Sequence, residues 1–505
     1  MTEQQVGAIN PSRRGVALIL MVMCILVVAG FVGLAIDGGI MYMLKARLSQ
    51  AVDAGALAGA RSLSRGADVS TQAQSATTTA TNFFKSNFPN GYWGATVPAP
   101  TVVVTEDNTY KSRSVSVTST VTAPLYFLRL LGQTTANLSA TAQATRRDVN
   151  IMLVIDRSSS MAANGAIAPT ITAAQSFVNL FAPGRDIMGM VVFGGDYSLY
   201  APTTNFGSTS STPLVGEIAK ITSSGNTNTA TALWAAYSAL AGLNQPGALN
   251  VIVFFTDGLP NGITANMVST GPTGGPYTDY RVKPATCDPT NKPLTGYFAQ
   301  WSGFANQDSG TVVGLMNYLT PGNAVSDPND DTTISNGSGC SFYQNGQSTF
   351  STDFTQLPSY DINGTPTWDV PGKASYLGAA YSHGGATVLT SADLINHRNN
   401  PYYVGVVSSN AADFVAQRWR HGDINGIVPL VFGITLTEAT GEAPDPLFML
   451  RVSNSPSGLD NNGNTLANPI YSTSYPQGTY VNTSQQGQLQ SLFLSVGAQI
   501  LHLSI

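Results

Sequence analysis

A chain of 505 residues, of which 10% are charged, has room for about two to four domains but little charge to work with. Its net charge of −5 argues against a nucleic-acid partner, because phosphate binding needs clustered Lys and Arg.

Residues 1–14 are polar and end in Arg13-Arg14. From Gly15 to Ile36 there are 22 residues without a charge. As a helix they extend roughly 33 Å, enough for a hydrocarbon core. A cleavable signal has a shorter apolar core, about 7 to 15 residues. The run therefore predicts a retained transmembrane helix over 15–36. Arg13 and Arg14 favour a cytoplasmic N-terminus. Lys45 and Arg47 weaken that bias without reversing it.

Beyond the span, Ala35-Ile36-Asp37-Gly38-Gly39 leads into an Ala-rich helix predicted over 37–63. Leu44, Leu48, Val52 and Ala56 recur at helical spacing, and Gly55, Ala58 and Gly59 permit close packing. Arg14-Gly15 before the span, A-I-D-x-G after it, Tyr42, Lys45, Arg47 and Asp53-Ala54 form one pattern. In it the stretch from about 13 to 63 resembles TadG-like proteins of the tight-adherence (Flp) pilus assembly system. The resemblance implies a single-pass protein of the bacterial inner membrane, with its C-terminal part periplasmic or extracellular and pilus or envelope components as partners. Prepilin-type processing wants a Glu five residues after the cleaved glycine. Leu20 stands there, so neither that cleavage nor polymerisation into a fibre is expected.

Residues 64–147 read as a small membrane-proximal α+β module. A Ser/Thr/Ala-rich stretch is followed by Phe83, Phe84, Phe88, Tyr92 and Trp93. Thr101–Thr105 and Ser112–Thr122 have strand composition, with Val115, Val117 and Val121 alternating. Leu125–Leu131 is a short apolar helix candidate, and Thr134–Arg146 alternates weakly.

Ile151–Ile155 is an apolar run of the kind buried in a parallel sheet, and it ends in Asp156-Arg157-Ser158-Ser159-Ser160, a D-x-S-x-S pattern. One carboxylate and two hydroxyls are hard oxygen donors, suited to Mg²⁺, Mn²⁺ or Ca²⁺ and not to zinc. Two later stretches join it. Ser224–Thr229 precedes a helical pattern over Ala230–Leu243, and Val251–Thr256 is a second buried strand that ends in Asp257-Gly258. Together these resemble the von Willebrand factor A domain and its metal-ion-dependent adhesion site. The resemblance implies a doubly wound α/β fold over 148–262 and 410–505. It also implies that Asp156, Ser158, Ser160 and Thr227 hold a divalent cation directly or through water, Mg²⁺ first, with Asp257 acting mainly through water. Thr229 is a rival to Thr227. The implied partner is a protein that supplies an Asp or Glu carboxylate.

Around that site the chain alternates as expected. Pro169–Phe181 is a helix pattern, Asp186–Phe193 a strand with Ser198–Pro202 at its edge, and Pro213–Ile221 a short helix. Residues 263–409 break the alternation with Gly, Pro, Asn and Thr, too long for a loop, and read as an inserted subdomain. Asp327, Asp330 and Asp331 lie in it and fit a solvated turn better than a Ca²⁺ site. Cys287 and Cys340 also lie there and are a possible disulfide; Cys24 stands in the apolar run. That bond would imply an oxidising compartment. Helix Ala411–Arg420, strand Ile427–Leu436, short elements at Leu447–Val452 and Tyr480–Asn482, and a closing helix Gln485–Leu503 complete the chain. The apolar side of the last carries Leu489, Leu492, Phe493, Val496, Ile500 and Leu503.

Catalytic motifs are absent. None of His383, His397, His421 and His502 sits in H-E-x-x-H, and there is neither G-x-S-x-G nor a P-loop lysine. The sequence thus predicts a metal-dependent binding protein and not an enzyme. The alternatives are an envelope scaffold with a vestigial metal site and a metal-dependent hydrolase using Asp156 and Asp257.

Overall fold

The computed structural model describes residues 11–64, 66, 68–195, 197–207, 213–223, 225, 227–265, 295–301, 310–313, 357–367, 401–437 and 443–504. Helix α1 (Pro11–Ser62) is continuous from the apolar run into the Ala-rich stretch. Its two parts meet different surroundings. From Leu18 to Val32 every side chain is exposed, whereas Ile40, Leu44, Leu48, Ala51, Val52, Ala56 and Ala60 are buried. The buried residues follow the three-and-four spacing of one helix face.

What covers that face is the rest of the small module. Helix α2 (Val69–Asn87) starts at Asp68, whose carboxylate accepts from Thr71 N at 2.9 Å while the Thr71 hydroxyl faces back to Asp68 N. That reciprocal pair caps the orphan N–H groups of a first turn. Strands β1 (Thr101–Asp107), β2 (Ser112–Pro124) and β3 (Thr135–Arg147) form an antiparallel sheet in that order. Ala76, Ala80, Phe84, Val115, Val117 and Val121 pack on α1. Gly59 is required there: a Cβ would sit 2.9 Å from Val115 and 3.2 Å from the Ala76 carbonyl. The apolar candidate at Leu125–Leu131 forms only a short 3-10 turn over Leu128–Leu131.

One residue, Asp148, separates β3 from β4 (Val149–Asp156), the strand at the centre of the second sheet. The chain then gives α3 (Ser159–Ala163), α4 (Ile167–Val178), β5 (Ile187–Phe193), β6 (Tyr197–Thr203), α5 (Leu214–Ile218), α6 (Thr229–Gly242) and β7 (Leu249–Thr256). Short antiparallel strands β8 (Gly262–Thr264), β9 (Thr295–Trp301) and β10 (Gly310–Val313) follow. Helix α7 (Pro401–Arg420), strand β11 (Leu430–Leu436), helix α8 (Pro446–Ser453), the hairpin β12 (Ser457–Leu459) and β13 (Thr465–Ala467), strand β14 (Thr479–Thr483) and helix α9 (Leu489–Leu503) end the fold.

The large sheet has order β14-β11-β7-β4-β5-β6, parallel except for β6. Its strands are buried on both faces, and alternation divides their side chains between two cores. Met152, Val154, Ile252 and Phe254 point to the core of α6, α7 and α8. Ile151, Leu153, Ile155, Val253 and Phe255 point to the core of α4, α5 and α9. This is the doubly wound α/β domain that the sequence predicts.

Some elements differ in extent. Helix α7 begins at Pro401, ten residues before the expected start. Its early part reads as β-branched and Gly-containing (Val404, Gly405, Val406, Val407), yet Val406 and Val407 are buried in a core that favours helix there. The closing helix buries Leu489, Phe493, Val496 and Ile500 but leaves Leu503 exposed. Cys287, Cys340, Asp327, Asp330, Asp331, His383 and His397 lie outside the described residues; Cys24 is exposed on α1.

Candidate functional site

Strands β4 and β7 run parallel and side by side, with Ile155 paired to Phe255. Both therefore end at the same edge of the sheet. The chain leaves β4 toward β5 on one side and later returns to β7 on the other, so the crevice between β4 and β7 is a topological switch point, where such folds bind ligands.

Asp156 ends β4 and is fully buried. Its Oδ1 accepts from Ser158 N at 2.8 Å and its Oδ2 from the Thr256 hydroxyl at 2.5 Å. The Ser158 and Ser160 hydroxyls lie 2.9 Å apart. Ser160 Oγ donates to Asp257 Oδ1 at 2.8 Å, and Asn164 Nδ2 to Asp257 Oδ2 at 3.3 Å. Asp156, Ser158, Ser160 and Asp257 are thus one connected group. It is buried on the Asp156 side and opens to the surface at Ser159 and Ser160.

The Thr227 loop is clamped against this group. Gly225 has φ +77°, a conformation that suits glycine, and its carbonyl accepts from both Ser159 N and Ser159 Oγ at 2.9 Å. Ser223 Oγ donates to the Ser158 carbonyl at 2.6 Å. Thr227 N donates to Asn261 Oδ1 at 2.8 Å, and the Thr227 carbonyl accepts from Asn261 N and Gly262 N. Thr227 is buried in the loop, whereas Thr229 is the first residue of α6.

Burial raises the Asp156 carboxyl above the usual aspartate range, against the pull of its hydrogen bonds to Thr256 and Ser158 and a weaker attraction to Arg157. Burial raises Asp257 as well, and repulsion from Asp156 adds to it. Two desolvated acids side by side resist joint ionisation. Among the described residues no three His, Cys, Asp or Glu side chains gather into a cluster. Beyond these two carboxylates the side-chain groups that meet here are hydroxyls and the Asn164 amide. Among the described residues that set fits a hard divalent cation such as Mg²⁺ and includes no soft or imidazole donor for zinc.

Sequence reasoning missed Thr256, Asn261, Asn164 and Ser223. Thr256 immediately precedes Asp257, and its place on a strand adjacent to β4 was a usable signal. Asn261 meets Thr227 across 34 residues and had none.

Residues 151–259 match the family model of the von Willebrand factor type A domain, and residues 15–62 match that of putative Flp pilus-assembly TadE/G-like proteins. No curated protein matches the chain. Among solved structures the chain is similar to the PilB minor pilin from Streptococcus sanguinis, at 12% identity, 82% of this chain and 80% of that one, with a TM-score of 0.30. It is similar to the pilus adhesin SpaC from Lactobacillus rhamnosus GG, at 12% identity and TM-score 0.34, over 81% of this chain but only 34% of that one. The vWF domain of the type V pili tip protein Mfa5 from Porphyromonas gingivalis is 14% identical, over 72% of this chain and 98% of that one, with a TM-score of 0.31. The chain therefore joins a TadE/G-like segment to a von Willebrand factor type A domain.

Proposed function

We propose that this chain is a membrane-anchored, metal-dependent protein-binding protein of the tight-adherence pilus system. Asp156, Ser158, Ser160, Thr227 and Asp257 would hold the cation, Mg²⁺ first and Mn²⁺ or Ca²⁺ next. The observation that carries this reading is the buried pair of raised aspartates bordered by hydroxyls at the sheet's C-terminal edge. A cation there relieves the repulsion that otherwise favours a proton on one acid. When bound, it supplies an electrophilic position that accepts an Asp or Glu carboxylate from a partner. Ser158, Ser160 and Thr227 are neutral, so with Asp257 acting mainly through water only Asp156 brings a charge into direct contact with the cation, while Thr256 and Asn261 hold Asp156 and the Thr227 loop in place. The surroundings of the two acids favour this binding role over hydrolysis.

The anchor reading rests on α1, whose stretch from Leu18 is long and apolar enough to cross a membrane. We place it in the bacterial inner membrane with residues 1–14 cytoplasmic and the A domain periplasmic or extracellular, where Cys287 and Cys340 can pair. A reporter fused after Ile505 should be active outside the cytoplasm; cytoplasmic activity overturns this topology.

A second reading, an envelope scaffold with a vestigial site, draws support from the hydrogen bonds that Thr256 and Ser160 already give the two acids. Calorimetry with Mg²⁺ or Mn²⁺ separates the two. Wild-type protein should bind and Asp156→Ala should lose at least about 10- to 100-fold in affinity while keeping its circular dichroism. Equal affinity in both folded proteins removes the adhesion-site reading.

A further inference from the structure

The turn that follows β2 leaves an unusual group of side chains in the open. Tyr126 and Phe127 are 45% and 41% exposed, and Leu130 is 83% exposed. Arg129 is exposed beside them. Trp93, half exposed and at φ +52°, lies next to the group, its carbonyl accepting from the Tyr126 hydroxyl at 3.4 Å. Scattered exposed apolar residues need no explanation, but a contiguous group does.

This turn is fixed to α1 at one level. The Asp37 carboxylate accepts from three successive backbone groups: Tyr126 N at 3.0 Å, Phe127 N at 3.0 Å and Leu128 N at 2.7 Å. One helical turn earlier, Gly33 lets the Phe127 ring lie against the helix backbone; a Cβ would fall 2.7 Å from Phe127 Cβ. Gly33 is inside the charge-free run, about 4.5 Å along the axis before its last residue, Ile36. Phe127 therefore touches the helix where its surroundings are apolar, and Leu26 and Ile36, on the same helix face as Gly33, are exposed. The exposed apolar surface of the turn is continuous with that of the span.

We propose that the Leu125–Leu131 turn, held by Asp37, is a second membrane contact that dips into the interface of the bilayer crossed by α1. Tyr and Trp favour the boundary between headgroups and acyl chains, and an exposed Arg is suited to anionic headgroups. Gly33 and Asp37 thereby acquire physical roles: one admits Phe127 to the helix surface and the other locks the turn at the end of the apolar run. With two contacts the module stands on the membrane at a set tilt, since a lone helix leaves it free to rotate. The proposal rests on α1 spanning a membrane.

The test uses the full chain in vesicles of phosphatidylcholine and phosphatidylglycerol whose acyl chains are brominated near the headgroup. Leu130→Trp and, as a control at the far end of the module, Tyr110→Trp are compared with the wild type, so that native tryptophans are subtracted. The added emission should fall about twofold for Leu130→Trp, in keeping with burial at interfacial depth, and stay unchanged for Tyr110→Trp. Asp37→Asn should restore most of the Leu130→Trp emission while the protein still floats with the vesicles. Flotation without quenching at position 130 overturns this proposal and leaves the anchor standing; failure to float removes both. A photoreactive benzophenone at position 130 adds the remaining arm. Lipid adducts support the proposal, and adducts to a second copy or another protein overturn it. Quenching that survives Asp37→Asn overturns the part assigned to Asp37.

Discussion

At its N-terminal edge the large sheet buries Asp148 and Asp186; at its C-terminal edge it buries Asp156 and Asp257. The lower pair is met by arginines. Arg146 reaches Asp186 at 2.8 Å, Arg185 reaches Asp148 at 2.8 Å, and Arg113 stands 3.9 Å from Asp148. Arg113 and Arg146 come from the small module, and Arg113 also donates to Gln72 and the Leu63 carbonyl. The lower edge is thus a joint, fastening the module to the A domain where only Asp148 separates β3 from β4. At the upper edge the neighbours are hydroxyls and amides, with Arg157 a weak contributor. The same sheet treats the same residue type in two ways. Below, arginines of the chain oppose the effect of burial, which still raises the Asp148 carboxyl; above, the proposed cation would supply that opposition.

The largest effect that tests this contrast is Arg146→Ala. It leaves Asp186 buried without its cation, and should cost about 3 kcal/mol or more in chemical denaturation followed by ellipticity. Asp156→Ala in metal-free protein should cost little or add stability, because it removes one of two repelling acids. Equal losses for the two variants would erase the distinction between the edges.

A smaller effect is expected from pH. Both upper acids have folded values above the unfolded aspartate value near 4, Asp257 being pushed up to about 7. Their contribution to stability is therefore present below about pH 4 and is lost as pH rises through the folded values. Metal-free protein should therefore be less stable at pH 7.5 than at pH 5 through this pair. Mg²⁺ at a hundredfold excess over its dissociation constant should restore about 2.7 kcal/mol at neutral pH. Thermal melts at pH 5 and 7.5, with and without Mg²⁺, read both. A melt that gains nothing from Mg²⁺ at pH 7.5 places the offset inside the chain at the upper edge too.

These two edges were unequally legible in the sequence. The upper edge announced itself because its donors follow strand ends, where Asp156, Ser158 and Ser160 are neighbours in the chain and Asp257 follows an apolar run. Both strands were visible as Val/Ile/Phe stretches, and the buried stripe of α1 was visible as Leu44, Leu48, Val52 and Ala56. The lower edge was silent, since Arg113, Arg146, Arg185, Asp148 and Asp186 share no motif and meet only when two sheets are joined. Helix α7 was half hidden because Val404 to Val407 carry strand composition that tertiary burial overrides. The Leu125–Leu131 turn looked apolar enough for a helix. Its conformation is instead set by Asp37, about ninety residues away in the chain.

The smallest effect sharpens the upper edge itself, by asking which threonine faces the cation. Thr227 and Thr229 are two residues apart, and both are buried. Their supports differ. Asn261 Oδ1 accepts from Thr227 N, and Asn261 N and Gly262 N return bonds to the Thr227 carbonyl. Thr229 opens α6 and owes its place to that helix. Asn261→Ala keeps the backbone bonds and removes one side-chain acceptor, so its stability cost should be about 1 kcal/mol. If Thr227 is the donor, its hydroxyl loses registration with Ser158 and Ser160, and Mg²⁺ affinity should fall about fivefold, the equivalent of about 1 kcal/mol. If Thr229 is the donor, α6 holds it regardless and affinity should not change. Calorimetry on Asn261→Ala beside Thr227→Ala and Thr229→Ala therefore decides between them. A loss in Thr229→Ala with none in the other two would move the threonine ligand two residues along the chain and leave the Asn261 clamp as support for the loop alone.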